Sequence, residues 1–306
     1  MARIVFMGTP AFALPSLRQL IPAHDVIAVV TQPDRPAGRN KRLKQSPVKQ
    51  LAASDGIPIL QPRRIREPEA LDMLADLDAD LFVVVAFGQI LPQALLDLPR
   101  QGALNVHASL LPRWRGAAPI PAAIRAGDTE SGVTIMLLDA GLDTGPLLSR
   151  QAVTLARDET GQSLHDGLAV LGADLLSQTV PRYLAGDIRP QAQDDALATH
   201  APQLKKSDGR IDWTRPAAEI ERLARAFTPW PGAFTEWQGK QLKVVAGREG
   251  EGNLPPGQVA DHKGTIAIGT GAGVYLPSEL QMAGKKRLPV SDFVNGYREF
   301  VGARLG

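Results

Sequence analysis

The sequence predicts an α/β protein, a doubly wound and mostly parallel sheet followed by a small β-barrel. Three observations predict it. Short apolar runs such as Arg3–Met7, Asp25–Thr31 and Leu81–Val85 alternate with segments of helical periodicity, as strands do when crossover helices bury both their faces. Residues 190–206 turn polar and read as a linker. After them come short alternating runs punctuated by Gly and Pro, the spacing of a small barrel. At 306 residues and 44% hydrophobic content the chain can bury a substantial core. The expected division is a sheet domain over 1–189, a linker over 190–206 and a barrel over 207–306.

Taken in order, Arg3–Met7 is the first buried strand and Gly8-Thr-Pro10 the turn after it. A helix bearing Phe12, Leu17, Leu20 and Ile21 leads to a second strand, Asp25–Thr31. The arrangement is Rossmann-like, but Gly8-Thr-Pro-Ala-Phe12 lacks the Gly-x-Gly-x-x-Gly spacing, and no acidic residue ends the second strand. Both facts argue against a dinucleotide cofactor. Gln32–Lys49 reads as a long polar loop. It sets Arg35, Arg39, Lys41, Arg42, Lys44 and Lys49 against Asp34 alone. Such a loop is either solvated or a clamp for phosphates. Ile57–Leu60 is a short strand, 67–77 an amphipathic helix and Leu81–Val85 a central strand. In Ala86–Leu91, just beyond it, Phe87 suits the core as well as a pocket wall.

Ala103–Pro121 carries the chemistry. It begins as a strand that delivers Asn105 and His107 two residues apart, hence on one face. It then breaks into a loop rich in Pro, Gly and Arg. A further apolar run, Gly132–Leu138, ends in Asp139-Ala-Gly-Leu-Asp143-Thr-Gly-Pro146. Asn105, His107 and Asp143 are expected to meet at the open carboxyl edge of the sheet. Taken singly, each has a plainer reading: a strand-terminating amide, a solvated imidazole, a turn residue. A strand near 147–154 and a helix over about 160–185 follow, with His165 on that helix as a surface or packing residue. Beyond the linker, one helix is expected near 216–227 and another near 291–300. Five strands between them lie around 233–238, 241–247, 257–261, 264–269 and 273–280. Trp213, Trp230 and Trp237 are expected in the core or in packing, and Lys285-Lys-Arg287 reads equally as a solvated turn or a contact.

Asn105-Val-His107, Ser109-Leu-Leu-Pro112 and Leu142-Asp-Thr-Gly145 resemble the active-site motifs of the folate-dependent formyltransferases. Leu111-Pro-Arg-Trp-Arg-Gly-Ala-Ala-Pro119 resembles more narrowly the branch that formylates methionyl-tRNA. Gly8-Thr-Pro10, Thr31–Arg39 and Arg225-Ala-Phe-Thr-Pro-Trp-Pro231 extend the resemblance along the whole chain. One departure is Ala108, where the family usually has Gly.

The resemblance implies 10-formyltetrahydrofolate as formyl donor, no metal, and initiator methionyl-tRNA as acceptor. The site would comprise catalytic Asn105, His107 and Asp143, with Ser109, Leu110, Leu111 and Pro112 against the folate. The backbone of 86–91 would line the pterin pocket, and Arg39, Lys41 and Arg42 would engage tRNA. It also implies an OB-like barrel that contacts tRNA. An uncharged amide suits a developing oxyanion, and a group that titrates near neutrality suits proton movement. The nucleophile is an α-amine already partly neutral at pH 7, so no covalent intermediate is required.

The same chemistry on a small amine, a glycinamide ribonucleotide or an amino sugar nucleotide, is the alternative. The cationic 32–49 insertion and the extra domain argue against it. A non-catalytic RNA-binding protein is a third reading, opposed by the intact triad. The net charge of +2 favours no partner class by itself, although residues 206–306 hold 14 Lys and Arg against 11 Asp and Glu. There is no Cys, so thiolate chemistry and disulfides are excluded. The N-terminus lacks a signal-peptide pattern and no apolar run approaches a membrane span. A cytoplasmic monomer is expected.

Overall fold

The computed structural model describes every residue except 38–41 and 263, and only the backbone of Ala37 and Arg42. The chain divides into two compact units. One comprises residues 1–119, 130–154 and 165–201, the other residues 120–129, 155–164 and 202–306.

In chain order the first part contains β1 (Arg3–Gly8), α1 (Leu14–Ala23), β2 (Asp25–Val30), β3 (Arg35–Ala37), β4 (Arg42–Lys44), α2 (Pro47–Ser54) and β5 (Ile59–Leu60). It continues through α3 (Pro68–Ala75), β6 (Leu81–Val85), α4 (Gln93–Leu96), β7 (Ala103–His107), α5 (Pro119–Ala126), β8 (Glu130–Leu137), β9 (Leu147–Thr154) and α6 (Gly161–Leu184). Seven strands form one sheet ordered β5-β2-β1-β6-β7-β8-β9. The first five are parallel neighbours. Ile4, Phe6, Val83 and Val85 are buried, as are Val5, Met7, Phe82 and Val84 between them. Burial on both faces is why these strands read as unbroken apolar runs. Gly8 has no room for a side chain: a Cβ there would lie 2.8 Å from the Phe6 ring and 3.0 Å from the Val85 carbonyl oxygen.

Two expectations change here, and one open reading is settled. First, β8 and β9 run antiparallel to their neighbours. Leu137, at the carboxyl end of β8, pairs with Leu104 near the start of β7, while His107 pairs with Thr134. The strand preceding Asp143 therefore does not end at the edge where β7 ends. An apolar run looks alike in either direction, so its polarity is set by pairing alone. Second, the 32–49 segment is not a plain loop. Backbone pairing of Arg35–Ala37 with Arg42–Lys44 makes a hairpin, and α2 begins at Pro47. Ser46 caps that helix by accepting the Lys49 N–H at 3.0 Å. Ser followed by Pro is a helix start readable in sequence. Third, Phe87 is buried in the cluster containing Met7, Val84 and Leu95, so it belongs to the core.

The second unit is built on α7 (Ala217–Ala226), β10 (Phe234–Trp237), β11 (Lys240–Gly250), β12 (Val259–His262), β13 (Thr265–Gly269), β14 (Val274–Met282), β15 (Leu288–Pro289) and α8 (Val290–Gly296). A curled antiparallel sheet runs β10-β11-β14-β13-β12, with β15 added beside β14. The final residues bridge its two edges: Leu305 N–H bonds to Gly257, and Gly306 N–H reaches Glu236 at 3.4 Å. Trp213, Trp237, Tyr275, Phe293 and Phe300 form the centre of its core. Burial contributes about 1.5–3 kcal/mol for a side chain the size of Phe. Trp230 departs from expectation at 58% exposed. It sits between Pro229 and Pro231, outside any strand, so no alternation turns it inward. Among the described residues no helix is long and apolar enough to cross a membrane.

Candidate active site

Helix α6 decides which face of β7 is free. At Gly172 a Cβ would stand 2.8 Å from Val106 Cγ1 and 3.4 Å from Val133, so glycine lets the helix lie against that face. Val106 points toward α6, and Asn105 and His107 point the other way. Opposite residues of an antiparallel pair share a face. Thr134 and Met136, which pair with His107 and Asn105, therefore stand beside them.

These neighbours fasten the loop after His107. The Thr134 hydroxyl donates to the Ser109 carbonyl at 2.7 Å and accepts the Leu111 N–H at 3.1 Å. Arg150, on β9, donates to the Leu111 carbonyl at 3.0 Å. Leu111 is buried against Met136 and Leu147. The Ser109 hydroxyl donates to the Arg113 carbonyl at 2.6 Å. Two of the four expected folate-binding side chains, Ser109 and Leu111, are thus turned into the protein. Leu110 and Pro112 remain partly exposed.

His107 is 6% exposed. Its Nε2 lies 3.0 Å from the Trp114 carbonyl oxygen, which can only accept, so this nitrogen carries the proton. Its Nδ1 faces Asp143 Oδ1 at 3.7 Å. That gap is longer than a hydrogen bond but within the range of an ion pair once the imidazole is protonated. Asp143 Oδ2 accepts the Gly116 N–H at 2.8 Å. Trp114 and Asp143 have φ of 62° and 54°, left-handed values that non-glycine residues adopt where surrounding structure imposes them.

Asp143 reaches the imidazole because the β8–β9 connection doubles back. The Leu137 N–H bonds to the Pro146 carbonyl and the Leu138 N–H to Ala103. Asp139 ties the turn by accepting from Gly141 N–H and the Thr144 hydroxyl at 3.0 and 2.7 Å. A Cβ at Gly145 would fall 1.9 Å from the Leu137 carbonyl oxygen. The structure therefore brings His107 and Asp143 together, with Asn105 on the same strand face. The fastening roles of Thr134, Asp139 and Gly116 were missed in the sequence. Of these, Asx-type capping by Asp139 two residues before a glycine had a local signal.

Two family models cover most of the chain: formyl transferase matches residues 2–180, and formyl transferase C-terminal domain matches residues 203–298. The methionyl-tRNA formyltransferase of Geobacter sulfurreducens is 51% identical over 99% of this chain and 96% of its own. That of Stutzerimonas stutzeri is 53% identical over 97% and 95%. The chain belongs to the methionyl-tRNA formyltransferase family. Solved structures share the formyltransferase fold at lower identity. An N-formyltransferase from Helicobacter canadensis, in complex with folinic acid and dTDP-3-aminofucose, matches with a TM-score of 0.69 and 18% identity over 94% of this chain and all of its own. HypX from Aquifex aeolicus in complex with tetrahydrofolic acid matches with a TM-score of 0.64 and 17% identity, over 98% of this chain and 48% of its own.

In this formyltransferase the expected tRNA contacts stand apart from the triad in sequence. Arg39 and Lys41 lie outside the described residues, and Arg42 is described only as backbone of β4. Lys49 has a structural partner. Its ammonium donates to Asp34 at 2.7 Å. The Lys49 hydrogen bond, aided by one from Gln61, holds the Asp34 carboxyl below the usual range.

Proposed function

We propose that this protein transfers a formyl group from 10-formyltetrahydrofolate to the amino group of methionine esterified to initiator tRNA, working in the cytoplasm at the start of translation. The observation that carries the reading is the pairing of His107 Nδ1 with Asp143 on the strand face that also holds Asn105, in a chain of this family.

The amine nitrogen attacks the formyl carbon, giving a tetrahedral oxyanion. The bond to N10 of the folate then breaks, and a proton passes from the amine to N10. Asn105 supplies an uncharged N–H donor to the oxyanion. With its Nε2 proton committed to Trp114, His107 accepts the amine proton at Nδ1 and returns it to the leaving nitrogen. Asp143, 3.7 Å from Nδ1, stabilises the imidazolium formed in between. Leu110, Pro112 and the backbone of the Ser109–Pro112 loop form the folate wall, while the buried side chains of Ser109 and Leu111 keep that wall in shape. Arg39, Lys41 and Arg42 neutralise tRNA phosphates.

The test is to incubate the protein with 10-formyltetrahydrofolate and charged initiator or elongator methionyl-tRNA, and to score N-formylmethionine. Formylation of the initiator species is the expected result. Absence of transfer to either would refute the reading.

A further inference from the structure

We propose that Gln193 is a positioning residue, locked by Arg115, that sets the Asp143 carboxylate against His107. The inference rests on the function proposed above and extends its machinery into the polar segment expected as a linker.

That segment is strapped to the first unit. Gln191 and Leu147 exchange two backbone bonds of 2.7 and 2.9 Å, Arg115 N–H bonds to Thr199, and Ala201 N–H bonds to Arg115. This register carries the side chain of Gln193 over the β8–β9 turn. Its carboxamide nitrogen donates to the Asp143 carbonyl at 2.8 Å and to the Gly145 carbonyl at 2.7 Å. Its oxygen accepts from Arg115 Nε at 3.1 Å and from an Arg115 terminal nitrogen at 2.9 Å. The nitrogen faces only acceptors and the oxygen only donors, so the amide has one orientation. Arg115 is itself buried and bonds to Asp195 at 2.7 Å.

The consequence is specific to residue 143. With φ of 54° its backbone sits where a non-glycine residue relaxes unless held. The carboxylate end is held by Gly116 N–H. The carbonyl end is held by Gln193. Fixing both ends fixes the distance from Oδ1 to the imidazole. A buried guanidinium at the back of the amide makes the clamp stiff, because charge-assisted bonds are stronger than neutral ones.

The experiment is a kinetic double-mutant cycle with Gln193→Ala and Asp143→Asn, assayed by single-turnover formyl transfer to methionyl-tRNA. Gln193→Glu is a second variant that keeps the shape and the bond to Arg115 but sets one carboxylate oxygen against the two carbonyls of Asp143 and Gly145. In the wild-type background Gln193→Ala lowers the rate about 10–100-fold, the scale of a small misplacement of a reacting group. KM for both substrates stays within about 2-fold. Gln193→Glu loses at least as much. In the Asp143→Asn background, Gln193→Ala costs less than about 2-fold, because a residue acting through Asp143 has nothing left to position. Equal losses in both backgrounds, or an unchanged rate in the wild-type background, would overturn the role. Failure of the wild-type protein to transfer formyl would instead overturn the reading of function beneath it.

Discussion

Thr134 joins Ser109 to Leu111 through one buried hydroxyl, donating to the first at 2.7 Å and accepting from the second at 3.1 Å. Thr134→Val keeps the shape and leaves both backbone groups without that partner. Buried groups left unsatisfied cost about 1–3 kcal/mol each. The expected outcome is a loss of about 2–3 kcal/mol in urea-unfolding free energy, with a reduced rate of transfer because the loop after His107 loosens.

Asn105→Ala removes the proposed oxyanion donor. The expected fall in kcat is on the order of 10²–10³-fold, with folding intact. Rapid-quench measurement of the transfer step checks it. Wild-type-like turnover would take Asn105 out of the mechanism.

Gly116→Ala puts a Cβ 2.7 Å from the Ala201 carbonyl oxygen at a φ of 113°. The backbone must move, and with it the N–H that holds Asp143. A stability loss of at least about 1 kcal/mol is expected, accompanied by a tenfold or greater fall in kcat. Thermal unfolding and steady-state kinetics on the same preparation measure both.

Stability should fall in mild acid through His24. Partial burial lowers its pKa, aided by the charge on the N-terminal amine, and its Nδ1 is buried with no hydrogen-bond partner among the described residues. Folded His24 therefore resists a proton that the unfolded chain takes up below about pH 6.5. This contribution is complete above that pH and is lost as pH drops toward the folded pKa. His24→Gln should flatten the dependence of the urea midpoint on pH between about 7 and 5. A curve parallel to wild type would exclude His24 as its source.

Replacing Arg39, Lys41 and Arg42 together with Ala should raise KM for methionyl-tRNA and flatten its dependence on salt. Each phosphate that is no longer neutralised lowers the slope of log KM against log salt by about 0.7–0.9. A slope reduced by about 2–3 is expected, read from assays between low and physiological salt.

Much of this protein is written locally. The strands of the first sheet announce themselves as apolar runs because both their faces are buried, and period-2 alternation alone places Asn105 beside His107. Helices α6 and α7 follow their periodicity to within a residue or two of 160–185 and 216–227. The residues of the proposed site were likewise legible as Asn105, His107 and Asp143, each at or near the end of an apolar run, and the fold brings His107 and Asp143 together.

What the tertiary structure alone decided is how those pieces face one another. The hydrophobic pattern of β8 is indifferent to direction, so only its pairing with β7 reveals that Asp143 must return through a folded-back turn. Ser109 and Leu111 look like pocket residues until their side chains turn inward, Ser109 to the Arg113 carbonyl and Leu111 against Met136. Arg115 and Gln193 lie 78 residues apart, and a hydrogen bond at that separation leaves no periodicity, cap or turn signal behind. Local order follows from side-chain period and backbone sterics, which act over a few residues. The site depends on polar bonds closed between distant segments, and these exist only once the chain has folded.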